Sequence, residues 1–226
     1  MNPELRITAD GSHTLYHKAL DENYHSLHGA ITESQHVFIE AGLQQFILAT
    51  NTIHILEIGF GTGLNTLLSC LFAEENSIQI HYTTLEPSPL DNTLIKSLNY
   101  SQQLSNDRST NIFNAIHAAP FEKEITITEN FILNKQQTTV ETFQSSNHFD
   151  LVYFDAFGPR VQPEIWSLNN FQKLFQLIKP CGILVTYCAK GEVRRTMQAT
   201  GFKVERLPGP PGKREMLRAL KTSLHD

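Results

Sequence analysis

Ile53-His54-Ile55-Leu56-Glu57-Ile58-Gly59-Phe60-Gly61-Thr62-Gly63-Leu64-Asn65 is an alternating apolar run that ends in an acid and then a glycine turn. The run reads as a strand and the residues after the last glycine as the start of a helix. Glycine lacks a Cβ and adopts positive φ, so three of them in five positions let bare backbone approach a flat ligand where the helix begins. A strand, a glycine turn and a helix in this order open an α/β fold. Around this unit, helical and strand-like patterns alternate, which predicts a mostly parallel sheet covered on both faces.

Working outward, strands are expected at 53–58, 79–85, within 125–135, at 149–154, 182–188, 202–207 and 215–219, a seven-stranded sheet whose last two strands run antiparallel. Helices are expected over about 33–48, 64–75, 88–98, 168–178 and 192–200, with 101–124 ambiguous between helix and loop. Pro180-Cys181-Gly182 reads as a turn, and Pro208-Gly209-Pro210-Pro211-Gly212 as a rigid loop before the final strand. The 226 residues suit one domain, with residues 1–50 an extension packed near the site.

The turn also narrows its ligand. A dinucleotide fingerprint, G-x-G-x-x-G, places its third small residue where Leu64 stands, and its helix N-terminus receives a pyrophosphate. This chain reads G-x-G-x-G and sets Glu57 two residues before the first glycine, where a carboxylate repels pyrophosphate but attracts an ammonium group. S-adenosylmethionine carries both an adenosine and an ammonium. Glu86-Pro87 ends the next strand 23 residues after Gly63, near the roughly 20 expected of a ribose-binding acid. Asp155-Ala156-Phe157-Gly158-Pro159 ends strand 149–154, and an acid there faces the crevice beyond the carboxyl ends of the strands. Asp155 can orient a substrate amine and receive its proton, while Phe157 supplies an apolar wall or stacks on a base.

Composition bounds the rest. Apolar residues make up 40% and charged residues 18%, and no run reaches the roughly 18 apolar residues of a membrane span. The polar start is not a signal peptide, so the chain is expected in the cytoplasm. Cys70, Cys181 and Cys188 form no C-x-x-C pair and lie in apolar segments, where buried free thiols are expected. The pairs His13/His17 and His25/His28 lack a companion acid or cysteine at a ligand spacing, and no metal is expected. Net charge is −5, yet residues 190–226 carry +5 against −10 for the remainder. That asymmetry suits a polyanion-binding edge on an acidic body, with a solvated basic face as the plain alternative.

Four segments together resemble the methyltransferase part of the bacterial tRNA 5-methylaminomethyl-2-thiouridine biosynthesis proteins: Glu33-Ser34-Gln35-His36-Val37-Phe38-Ile39, the glycine loop Leu56 to Asn65, Phe154-Asp155-Ala156-Phe157-Gly158-Pro159, and Gly212-Lys213-Arg214-Glu215-Met216-Leu217. The match spans about residues 15 to 220, and D-A-F-x-P with the late G-K-R-E-M carries most of its specificity. The resemblance implies a class I, Rossmann-like methyltransferase fold. It also implies that S-adenosylmethionine is used to methylate the exocyclic amine of 5-aminomethyl-(2-thio)uridine at the tRNA wobble position. It places Glu57, Gly59, Gly61, Gly63, Asn65 and Glu86 on the cofactor, with Phe60, Thr62 and Pro87 in the same loops, and Asp155 and Phe157 where cofactor meets target base. Tyr24 and Ser26 match a segment that approaches the cofactor pocket. Where relatives often show Gly-Asp near the adenine, this chain has Gln136-Gln137, so Gln137 is expected to offer an amide instead. Some relatives carry a second, flavin-dependent domain that exposes the amine; here the methyl step alone is expected, with separate enzymes supplying the amine.

With tRNA as partner, Lys190, Arg194, Arg195, Lys213 and Arg214 become candidate contacts to anticodon stem-loop phosphates. An unstacked base would be held by stacking and edge hydrogen bonds. Two rivals remain at this point: transfer to a small free amine such as a polyamine, which needs no basic edge, and a non-catalytic RNA-binding module of the same fold.

Overall fold

The computed structural model describes residues 3–104 and 106–223. A three-stranded antiparallel sheet comes first, from β1 (Glu4–Ile7), β2 (His13–His17) and β3 (Glu22–Asn23). The chain then runs through α1 (Ala30–Ser34), a π-helical turn (Gln35–Glu40) and a 3-10 turn (Leu43–Phe46). The α/β body follows: β4 (Thr52–Ile58), α2 (Leu64–Asn76), β5 (Gln79–Leu85), α3 (Asn92–Lys96), α4 (Tyr100–Gln103), α5 (Ser109–Ala118), β6 (Glu124–Thr128) and β7 (Phe131–Gln136). It ends with β8 (Phe149–Phe154), α6 (Leu168–Leu177), β9 (Ile178–Thr186), α7 (Gly191–Ala199), β10 (Lys203–Pro208) and β11 (Glu215–Leu220).

The main sheet has eight strands in the order β10-β11-β9-β8-β4-β5-β7-β6, parallel except for β11 and β6. Strand alternation divides its two faces. Ile55, Leu151, Tyr153 and Val185 enter one apolar cluster with α2, α5 and the π-helical turn, whereas Leu56, Ile58, Val152, Phe154 and Leu184 enter a second beneath α6 and α7. In the second, Phe154 lies against Trp166 and Phe171, with ring centroids 4.7 and 5.1 Å away. Core rings of this size contribute about 3–5 kcal/mol over alanine. From β4 the chain proceeds to β5 and β7 on one side and later to β8 and β9 on the other, so the topological switch point lies between β4 and β8. In open α/β sheets that crevice binds ligands.

Four expectations are corrected. The helix expected over 33–48 breaks into three short pieces. Gly42, between the second and third pieces, takes φ −106° and ψ −85°, outside the helical region, and a Cβ there would lie 2.5 Å from the Phe38 carbonyl oxygen and 3.1 Å from Val185 Cγ2 of β9. The strand expected within 125–135 is a hairpin, β6 and β7, which makes eight strands instead of seven. Pro180-Cys181-Gly182 does not separate helix from strand. β9 begins at Ile178 and the three residues form an irregularity inside it, between the pairs Phe149/Ile178 and Leu151/Ile183. There Cys181 takes φ 64° and is exposed, unlike the buried Cys70 and Cys188.

Candidate active site

Four strand ends, those of β4, β5, β7 and β8, are stitched together around the switch point. The amide of Gly59 donates to the Leu85 carbonyl at 3.0 Å, that of Asp155 to Ile58 at 3.0 Å, and that of Glu86 to Gln136 at 3.0 Å. Each loop therefore starts in fixed register with its neighbour. Gly59 takes φ 94°, Gly61 48° and Gly63 73°, and a Cβ on Gly59 would stand 2.8 Å from the Asp155 carbonyl oxygen. Gly59→Ala therefore combines a disfavoured backbone conformation with a backbone clash. It is expected to weaken ligand binding at this loop about tenfold or more and to lower Tm, as measured by calorimetry.

The loops open on a cavity of about 570 Å³, within the usual range for small-molecule sites. Of the residues singled out in the sequence, Tyr24, Ser26, Gly59, Phe60, Gly61, Thr62, Asn65, Glu86, Pro87, Asp155 and Phe157 line it. Glu86 holds the glycine loop: its two carboxylate oxygens accept from the amides of Gly61 and Ser88, each at 2.9 Å. Burial raises its pKa, against the lowering effect of those amides. Asp155 Oδ2 accepts from Asn65 Nδ2 at 2.8 Å. Burial, with the nearby Glu33 carboxylate, pushes the Asp155 carboxyl well above its ordinary range. Its backbone is clamped as well, because Tyr187 donates to the Ala156 carbonyl and Trp166 Nε1 to that of Phe157, both at 2.8 Å. The Phe157 ring meets Tyr24 edge to face at 4.9 Å.

Gly63, Glu57 and Gln137 do not line the cavity, and Lys213, expected on the RNA-facing surface, does. Glu57 is wholly buried beneath the loop, accepting from Thr84 at 2.7 Å and Thr66 at 3.3 Å, and does not line the cavity. Burial pushes it up to about 7; its bond to Thr66 ties it to the N-terminal turn of α2, and its other carboxylate oxygen has no hydrogen-bond partner among the described residues. Gln137 is exposed and donates its amide to Glu122; Thr138, Thr139 and Val140 reach the cavity in its place. Lys213 turns inward. Its Nζ bonds the Glu33 carboxylate and sits 4.0 Å over the Tyr187 ring, because loop 209–213 folds back through the Lys213 amide to the Pro210 carbonyl at 2.9 Å.

The supports of Thr62 carry no motif. Tyr100 donates to its hydroxyl at 3.2 Å, and His117 Nε2 to its carbonyl at 3.2 Å. Burial lowers His117 to about 4, so at neutral pH a neutral ring makes this contact. Lys135, buried beneath it, caps the end of α5 by donating to the carbonyls of Ile116 and His117. A lysine at the inward parity set by Phe131 and Leu133 was the available signal.

Among the described residues lining the cavity, Glu22, Glu33, Glu86, Glu141, Asp155 and Glu164 face a single lysine, Lys213, and no arginine. The buried Asn65 Oδ1 has no hydrogen-bond partner among the described residues. An acid-rich pocket with an unsatisfied carbonyl beside bare glycine backbone fits a ligand that is cationic, donates hydrogen bonds and presents a flat face. No group of three or more histidine, cysteine or acidic residues is arranged to hold a metal among the described residues.

A family model described as S-adenosyl-L-methionine-dependent methyltransferase matches residues 99–222. The chain belongs to that family. This methyltransferase is 28% identical over 237 residues to the tRNA 5-methylaminomethyl-2-thiouridine biosynthesis bifunctional protein MnmC of Pseudoalteromonas atlantica, covering 96% of the chain and 33% of the relative. The protein of the same name from Pseudomonas fluorescens is 28% identical over 230 residues, covering 96% and 34%. The chain thus spans about a third of the length of these curated relatives. The structure of MNMC2 from Aquifex aeolicus superposes with a TM-score of 0.82 at 26% identity, over 98% of this chain and 72% of that one. The resemblance read from the four motifs and the class I methyltransferase fold are both borne out, and the cofactor of the family is S-adenosylmethionine. No helix among the described residues is long and apolar enough to cross a membrane.

Proposed function

We propose that the chain is an N-methyltransferase acting on the 5-aminomethyl group of a wobble (2-thio)uridine in tRNA. The observation that carries this reading is the Asp155 carboxyl, held by Asn65 in the same cavity as the glycine loop and Glu86, with the Phe157–Tyr24 wall beside it. The names of the relatives supply the tRNA and the modified uridine. Such a substrate belongs to the cytoplasm and carries its aminomethyl group before the methyl is added.

Bound S-adenosylmethionine supplies an electrophilic methyl on a sulfonium. Gly59 and Gly61 give the adenosine a face of bare backbone, and Glu86 retains lone pairs for both ribose hydroxyls. Asn65 Oδ1 is free to accept from the ammonium. Transfer forms a nitrogen–carbon bond, breaks the carbon–sulfur bond with its electron pair left on sulfur, and gives the nitrogen a surplus proton. Asp155 accepts that proton. Burial makes its carboxylate a stronger base and so brings its pKa nearer that of an amine. Phe157 and Tyr24 form a stacking wall for the unstacked base.

The RNA would approach at the carboxyl edge of the sheet, where Lys190 precedes α7 and Arg214 precedes β11. Arg194, Arg195 and Arg214 form no ion pair among the described residues, whereas Lys190 lies 3.8 Å from Glu192 and Arg218 is bound to Glu205. The variant R194E/R195E/R214E is expected to bind tRNA at least about tenfold more weakly. Its salt dependence should be shallower by about 0.7–0.9 in log–log slope for each phosphate that no longer meets a cation. S-adenosylmethionine affinity should stay unchanged. Filter binding at several salt concentrations measures this, and unaltered RNA affinity would remove these arginines from the interface.

The acid excess of the cavity favours a second reading, a small free polyamine as acceptor. Incubating the chain with methyl-labelled S-adenosylmethionine and either tRNA lacking this methyl or a polyamine separates the two. Label in a modified uridine after nuclease digestion supports the tRNA reading; label in the polyamine alone refutes it.

A further inference from the structure

Lys213 and Glu33 are paired in the lining of the cavity that also holds Asp155, close enough for both charges to act on its carboxyl. Glu33 is rooted there, buried, with one carboxylate oxygen accepting from the Ser26 amide at 2.7 Å and the other bonded to Lys213 Nζ. Lys213 in turn rests over the Tyr187 ring, whose hydroxyl clamps the Ala156 carbonyl next to Asp155. One side chain therefore touches the second acid of this lining and the aromatic support of the first. We propose that Lys213 is a positioning residue for methyl transfer: by cancelling the Glu33 carboxylate it leaves Asp155 as the one acceptor of the proton shed by the substrate amine. The proposal rests on the amine-methylation reading above.

An amine attacks only through its unprotonated lone pair. A second uncompensated carboxylate beside Asp155 would stabilise the ammonium form and hold the proton on nitrogen. Glu33 and Asp155 already repel each other, and Lys213 offsets that repulsion. Other ionisable groups face the pair from each packed element. His25 from the N-terminal segment, Tyr187 and Cys188 after β9, and Asp155 after β8 interact with the pair directly, while Asp10, Glu22 and Glu57 act one step removed, on His25, Tyr187 and Asp155. His25 is driven to about 4 by burial and is neutral at working pH. Glu22 is paired with Arg160, and Asp10 accepts from Ser12 and Thr32. Lys213 is therefore the cation within bonding reach of Glu33.

Removing the cation has a signed consequence. In Lys213→Met the ammonium form persists to higher pH, so the acid limb of kcat/KM should move up by about one pH unit. Activity near pH 7 should then fall roughly tenfold, and most of it should return in alkaline buffer. Lys213→Arg should keep the limb in place. The double variant E33Q/K213M, which removes both charges, should restore the limb to within about 0.3 pH unit of the parent.

The experiment measures kcat/KM from pH 6 to 10 for the parent chain and these three variants, with tRNA lacking the methyl as acceptor. Carbon NMR follows the Asp155 carboxyl in parallel without substrate, its signal assigned by loss in Asp155→Asn. The Asp155 midpoint should rise in K213M and return in E33Q/K213M. A K213M defect equal at every pH, a defect that E33Q fails to relieve, or an unmoved Asp155 titration would each overturn the proposal. A KM increase that shrinks with changing salt would make Lys213 a phosphate contact instead. If the parent itself transfers no methyl to tRNA, the functional reading fails, while the carboxyl titration still decides the role of the pair.

Discussion

Asp155→Ala is expected to lower kcat for methyl transfer by about 10² to 10⁴, the span that positioned acid–base groups contribute, while S-adenosylmethionine affinity stays within a fewfold of the parent. The separation follows from how the residue is held. Its amide donates to the Ile58 carbonyl, and the carbonyls of the next two residues are bonded by Tyr187 and Trp166, so truncation leaves the loop path intact. What disappears is the base and the partner of Asn65 Nδ2, whose loss costs about 1–3 kcal/mol of stability if the amide stays dry. Asp155→Asn keeps the shape and an acceptor for Asn65, and it should lose nearly as much activity because an amide cannot take the proton. The active form is the carboxylate, which accumulates above its raised pKa, so the parent rate should climb with pH through that ionisation and the asparagine variant should lack this limb. Single-turnover transfer and titration calorimetry measure the two halves. Retained kcat in both variants would leave Asp155 a loop residue with no chemical part.

How much of this was legible in the sequence depended on whether a residue's neighbours were close along the chain. The glycine turn, Glu86 and the Asp155-Ala156-Phe157 segment each follow a strand, and strand ends of a parallel sheet converge by topology, so their meeting could be read without coordinates. Glu57 also ends a strand, but alternation turns its side chain under the loop towards Thr66 and Thr84, one residue out of phase with the cavity. The β6–β7 hairpin hid because Ile125, Ile127, Phe131 and Leu133 keep one parity through the turn at Glu129-Asn130, so the apolar alternation never signalled a break. Lys213 belonged by composition to a basic tail and by structure to the cavity. Its distant partner Glu33 decides that, and separations of this kind leave no periodic trace. The same holds for Tyr100 and His117, which reach Thr62 from separate helices.

Glu86→Ala should weaken S-adenosylmethionine binding by about 10- to 100-fold, which corresponds to roughly 1.4–2.8 kcal/mol and matches the loss of one or two hydrogen bonds to a charged acceptor. Two effects add here. The carboxylate would no longer receive the ribose hydroxyls, and the Gly61 amide would lose the acceptor 2.9 Å away that fixes the loop. Glu86→Gln separates them, since one amide oxygen can still accept from Gly61 but the charge and half the acceptor capacity are gone; an intermediate affinity is expected. A cofactor analogue without ribose hydroxyls gives the decisive comparison. If Glu86 acts on the ribose, the penalty for alanine should largely vanish with that analogue, because the hydroxyls it would receive are already missing. If it acts only by holding Gly61, parent and variant should differ equally for both ligands. Equal affinity of parent and Glu86→Ala for S-adenosylmethionine itself would detach the acid from the cofactor and leave the cavity's polarity to Asp155, Asn65 and the Glu33–Lys213 pair.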